Sequence, residues 1–161
     1  MAESEFLVKK QTVQVEVCEV GGRVTRGEIF LAGYSGPEAR GERLSDVLGA
    51  RRFVPIRGDD GLRFISNRHV VWARMELLES IDELDPETEG AEGTATANVK
   101  VELVGGQSLE GGVRYLRPAG ARRLVDYLAT LETFFPLRTE DWLYLVNREH
   151  VSCVVALDEA T

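Results

Sequence analysis

The chain has little of what most protein chemistry needs. Its 161 residues include two histidines and two cysteines, Cys18 and Cys153. A disulfide framework or a zinc site usually takes more ligands at a recognisable spacing, so both thiols are read as free. There is no Cys-x-x-Cys, His-x-x-x-His, Gly-x-Ser-x-Gly elbow, phosphate loop or dinucleotide fingerprint. No cofactor and no catalytic constellation are expected. No apolar run approaches the ~18 residues of a membrane span, so no membrane partner is expected. The opening Met-Ala-Glu-Ser-Glu-Phe is acidic and lacks the basic and apolar regions of a signal peptide. A cytoplasmic protein is the expectation. Lysine is scarce too: of 19 basic residues only Lys9, Lys10 and Lys100 are lysine.

Neither repeat region carries more than a two-charge excess of either sign. The net charge is −8, and eight acids with no base lie between Glu76 and Asn98. Residues 1–75 carry 12 basic and 10 acidic groups, and residues 99–161 carry 7 and 9, so these two parts sum to zero. Non-specific nucleic-acid affinity comes mostly from neutralised phosphates. A nucleic-acid partner is therefore not expected from composition.

What the chain does have is an internal repeat. Residues 15–29 contain Val15, Val17, Val20, Gly21, Gly22 and Gly27, which fall on Val99, Val101, Val104, Gly105, Gly106 and Gly111 at an offset of 84. Each copy is an alternating apolar run, a Gly-Gly turn and a second run with an internal glycine. That is a β-hairpin pattern. Glycine inside the second run marks a bend, a bulge or a close backbone approach. Each hairpin is followed by a short stripe at helical spacing, Leu44, Val47 and Leu48 in one copy and Leu124, Leu128 and Leu131 in the other. Arg43 and Asp46 match Arg123 and Asp126, and this pair is read as a solvated surface pair. Then come Phe53-Val-Pro-Ile-Arg57 and Phe134-Phe-Pro-Leu-Arg138, where the proline points to an edge strand or a strand end. A final strand pair closes each copy, interrupted at Asn67-Arg68 and Asn147-Arg148.

These elements divide the chain into a tail over 1–11, a first repeat over 12–78, an acidic flexible linker over 79–97 and a second repeat over 98–158. Phe6-Leu7-Val8 either docks on the sheet or frays, and residues 33–41 read as a loop. The fold class is mainly β with minor helix, each repeat reading strand–strand–short helix–strand–strand–strand. Aligned on the two asparagines, His69 falls on Glu149 and the histidines do not correspond.

The second unit resembles the Sm-like family, its bacterial Hfq branch in particular. The residues that carry this are Val99-Lys-Val-Glu-Leu-Val-Gly-Gly106, Leu109-Glu-Gly-Gly-Val113 and Leu145-Val-Asn-Arg-Glu-His-Val-Ser-Cys-Val-Val155. The resemblance covers most of both units. It implies two tandem bent-sheet barrels of Sm-like or SH3-like kind, to which the residue pattern adds a short helix inserted after the second strand of each. That insertion differs from the family, and so does Asn-Arg at a joint where the Hfq branch has Tyr-Lys-His. Family members close rings by joining an edge of the final sheet to a neighbour.

Asn67, Arg68, Asn147 and Arg148 are the repeated polar candidates for a ligand or RNA contact. The competing use is structural, with asparagine satisfying the turn backbone and arginine in water. The final strands, Val70 to Met75 and Val151 to Val155, are β-branched and have no guard apart from Arg74, so self-association through these edges is expected, with Trp72, Trp142 and Val154 at the interface; the alternative is that the tandem pair satisfies the edges within one chain. The leading functional expectation is a non-catalytic protein-interaction, scaffolding or regulatory module of a bacterial cytoplasm. An RNA-binding Sm-like protein is the alternative, and a small-molecule-binding domain or enzyme comes third.

Overall fold

Alternation with a glycine turn forms hairpins here as the pattern demands. The computed structural model describes residues 9–33, 42–80, 83, 94–116 and 123–158. In chain order the elements are β1 (Lys9–Glu19), β2 (Val24–Gly33), α1 (Leu44–Ala50), β3 (Phe53–Gly58), β4 (Gly61–Ser66) and β5 (Val70–Glu76), then β6 (Thr94–Leu103), β7 (Ser108–Leu116), α2 (Leu124–Leu128), β8 (Phe134–Arg138), β9 (Trp142–Asn147) and β10 (Val151–Ala156). The ten strands form one antiparallel sheet in the order β10-β6-β7-β8-β9-β5-β1-β2-β3-β4. Each half has the same internal order, so the duplication in the sequence is a duplication of topology. The fold is mainly β, with both described helices lying after the second strand of their half. No described helix is long and apolar enough to cross a membrane.

Several boundaries move. β1 starts at Lys9 rather than Thr12, because Lys9 to Gln11 pair with Gly33 to Leu31. β6 starts at Thr94, so Thr94 to Ala97, expected in the flexible linker, are strand residues opposite Leu116 to Val113. Their small side chains hid a strand that ladder pairing alone creates. Leu77–Glu79 form a 3-10 turn, and Ser80 is fully buried with its hydroxyl donating to the Leu77 carbonyl at 2.7 Å. Phe6-Leu7-Val8, residues 34–41 of the expected loop, and 81–82 and 84–93 of the linker lie outside the described residues.

The acidic segment still has a structural use. The Glu83 carboxylate accepts from the amides of Leu44 and Ser45 and from the Ser45 hydroxyl, the last at 3.2 Å. It thereby satisfies amides that the first turn of α1 leaves without partners. Burial pushes this carboxyl above its ordinary range, against the pull of those hydrogen bonds. The Arg–Asp pairs are also structural rather than simply solvated. The amides of Arg43 and Arg123 each donate to the carboxylate three residues on, Asp46 and Asp126, at 2.9 Å. Half of a capping box starts each helix.

The strand register corrects the alignment. Phe53 lies opposite Ser66 in one half and Phe134 opposite Asn147 in the other. Likewise Val20 donates to the His69 carbonyl and Val104 to that of His150. From β3 onward the offset is therefore 81, and His69 and His150 are equivalent after all. The two asparagines are not; Asn147 corresponds to Ser66. One extra residue between α2 and β8 separates this register from the offset of 80 that joins the helices.

The close approach promised by Gly27 and Gly111 is real. A Cβ on Gly111 would stand 2.5 Å from the Arg138 carbonyl oxygen, and one on Gly27 would stand 2.8 Å from the Arg57 carbonyl carbon. These glycines let β3 and β8 cross tightly over β2 and β7, with a single ladder pair at each crossing, Glu28 with Arg57 and Gly112 with Arg138. That sparse contact explains why Pro55 and Pro136 are tolerated in strands that are not edges: the rest of each proline strand leans away from its neighbour. Replacing Gly27 or Gly111 with alanine should cost about 1–3 kcal/mol through overpacking. Gly49, whose Cβ would meet nothing within 4 Å, should instead gain up to about 1 kcal/mol on the same change. Urea denaturation midpoints check both signs.

Candidate functional site

The two halves meet where β5 pairs with β9. Trp72 to Glu76 lie opposite Val146 to Trp142, register unbroken. β5 is thus hydrogen-bonded on both sides, to β1 and to β9. The expectation that its edge is open is overturned: the apolar, β-branched strand is satisfied within the chain.

Side chains interlock across this joint. Phe134, Leu143 and Leu145 come from the second half but belong to the first core, with Leu44, Val47, Leu48, Val70 and Met75. In return Trp72 and Cys18 belong to the second core. Alternation places Cys18 on the face of Gln14 and Glu16, the side away from Val17. That face is covered by the second half, so Cys18 is buried beside Trp72, its ladder partner in β5. Burial first, and the Glu19 carboxylate next, push its thiol up, so it stays protonated.

One charged residue sits at the centre. Arg74 donates to Glu16 at 2.8 Å and to the Tyr144 hydroxyl at 2.9 Å, and its guanidinium lies 3.9 Å from the Trp142 ring centroid. Burial would lower its proton affinity, but the bonds to Glu16 and Tyr144 outweigh that and raise it. Tyr144 in turn stands edge-on to Trp72, centroids 5.2 Å apart, and the Trp72 indole donates to Gln107 at 3.1 Å. Trp72 and Trp142 are therefore contact residues of the internal joint. Val154 lies elsewhere, in β10 opposite Val101.

The two 3-10 turns, Asn67–His69 and Arg148–His150, meet at one end of the joint. Between them is a cleft of about 460 Å³ lined by Asn67, Arg68, Thr133, Phe134, Asn147, Glu149 and His150. Three of the four polar candidates are thereby brought together, and Arg148 is not among the lining residues. Their polar atoms are largely committed to the fold. Asn147, only 2% exposed, donates to the Val70 carbonyl at 2.9 Å and accepts from the Glu149 amide at 3.0 Å. Asn67 donates to the Leu48 carbonyl at 3.0 Å, and Arg148 donates to the Leu131 carbonyl. His150 Nε2 is 2.7 Å from the Arg68 carbonyl; a carbonyl only accepts, so Nε2 carries the proton. This arrangement ties turn to turn across the halves. It places no nucleophile beside a base. Among the described residues no three of His, Cys, Asp and Glu gather to hold a metal ion.

Sequence reasoning missed Arg74, Tyr144 and Phe134. The one available signal was Arg74 itself, the lone charge inside an otherwise apolar strand. Compared with known proteins, the chain matches no protein-family model, no curated protein and no solved structure.

Replacing Arg74 with alanine removes two charge-assisted hydrogen bonds and leaves Glu16 with a weaker partner, Arg26 at 3.2 Å. The expected loss is about 1.5–3 kcal/mol of stability. Trp142 should become wetter at the same time, seen as a red shift of its emission in a Trp72→Phe background. Unchanged stability and emission would show that the stack does not hold the joint.

Proposed function

We propose that this protein is a non-catalytic scaffolding module of the bacterial cytoplasm, built from two Sm-like barrels and working through the two outer edges of its continuous sheet. The observation that carries this is the state of β4 and β10. Among the described residues each is paired on one side only, and together they expose Leu62, Phe64 and Val155 at 48%, 62% and 38%. An unpaired edge carrying apolar side chains is a template for another strand. The Sm-like part of the reading is supported by the hairpin with its internal glycine and by the polar turn joining the last two strands, present in both halves.

Binding of nucleic acid is not part of this function. The turn arginines are divided between a backbone carbonyl, for Arg148, and exposure on a half-open cleft, for Arg68, with Glu149 beside them. No submicromolar binding of a uridine- or adenosine-rich oligonucleotide is expected at ~0.15 M salt. Such binding, weakening steeply with added salt, would replace this reading with the RNA-binding one.

Photo-crosslinking in cells tests the edges directly. A crosslinking amino acid at Phe64 or Val155 should trap a protein partner, while one at the exposed Glu110 should not. Equal or absent trapping at all three positions would sink the edge function.

A further inference from the structure

The joint inside the chain has a counterpart that the chain leaves open. β9 is the second half's copy of β4, and β10 is the second half's copy of β5, both at the offset of 81. Within the chain β9 pairs with β5, whereas β4 and β10 stand at the two ends of the sheet. Phe134, Leu143 and Leu145 reach into the first core and are 2%, 0% and 2% exposed. Their copies Phe53, Leu62 and Phe64 are 55%, 48% and 62% exposed. The receiving side shows the same contrast. Val47, Leu48, Val70 and Ala73 are fully buried beneath the inserted residues. Tyr127, Leu128, Val151 and Val154, in the same places of the second half, are half-buried. Each half of an interface is present, and the chain cannot bring its own two halves of it together, since they lie at opposite ends of one sheet.

Resting on the edge function proposed above, we propose that the partner is a second copy of this chain, docked head to tail, with β4 of one chain pairing antiparallel with β10 of the next. The internal pairs Leu145 with Ala73, Tyr144 with Arg74 and Leu143 with Met75 transpose to Phe64 with Val154, Arg63 with Val155 and Leu62 with Ala156. Phe53, Leu62 and Phe64 then enter the neighbouring chain's second core beside Tyr127 and Leu128. The bond from His150 to the Arg68 carbonyl becomes one from His69 to the Glu149 carbonyl of the neighbouring chain. Like-with-like pairing, β4 on β4 or β10 on β10, has no template in the structure. A contact of this head-to-tail kind repeats, closing a ring or extending a filament, and in either case covers both edges.

Light scattering on the purified full-length chain should give a mass several times 17.9 kDa. Phe64→Glu should reduce it to one chain; that side chain is exposed and makes no core contact, so the variant should keep its fold by circular dichroism. Register is read independently with cysteine pairs in a Cys153→Ser background. Arg63→Cys with Val155→Cys places the thiols directly opposite, within disulfide reach of an antiparallel pair, and mild oxidation should give a ladder of linked chains on a denaturing gel. Arg63→Cys with Ala156→Cys is one residue out of register and on opposite faces, and should give none. A single-chain mass at high concentration, an assembly indifferent to Phe64→Glu, or a ladder from the shifted pair alone would each overturn the proposal. A single-chain mass with a different protein trapped at Phe64 in cells would overturn self-assembly and leave the edge function standing; no trapping at either edge would remove both.

Discussion

Pairing of β5 with β9 is the constraint on which the rest of the structure depends. A half of some 60 residues closes too little surface to be stable alone. Here neither half is asked to be. β5 completes the first half's sheet on one side and the second half's on the other, and each core is finished by side chains from across the joint. Removing the pairing would bare Ala73, Met75, Leu143 and Leu145 together and uncover two cores at once. It follows that the halves should unfold as one unit rather than in sequence, despite their separate origins in the sequence.

Much of each half was legible because its determinants are local. Alternation at Val13, Val15 and Val17, the Gly21-Gly22 turn with both φ values near +90°, and the Leu44–Val47–Leu48 stripe all act over a few residues. Gly27 and Gly111 announced a close approach correctly, since nothing but backbone fits there. What stayed hidden was long-range. Identical Asn-Arg pairs suggested an offset of 80, while the ladder sets 81, because hydrogen-bond register and not side-chain identity decides which residues are equivalent. That the edges could be satisfied within the chain was legible as an alternative, but not that β5 would take β9. An unguarded, β-branched strand reads the same whether its partner is another molecule or another part of the chain.

The candidate site was visible in part for a related reason. Asn67, Arg68 and Asn147 do come together, but the fold uses them to fasten turns. Arg74 shows how a polar group can sit at such a joint. Removing one partner of a buried, hydrogen-bonded charge pair is far more costly than the pair itself is beneficial. Glu16, on β1, stays beside Arg74 whatever strand pairs on the other side, and Tyr144 is the one of these two partners that β9 supplies. The copy of this position in β10 is Val155, whose side chain needs no such partner.

The covalent link between the halves has one more effect. Within a chain, β5 meets β9 as part of one molecule, so their pairing does not depend on the amount of protein present. Contacts there need not be strong to be nearly always formed. The outer edges enjoy no such help, and any association through them answers to the amount of protein present. Under the proposed head-to-tail pairing, tandem duplication divides one geometry into a joint insensitive to dilution and another that dilution opens, and protein level then sets how far the sheet extends.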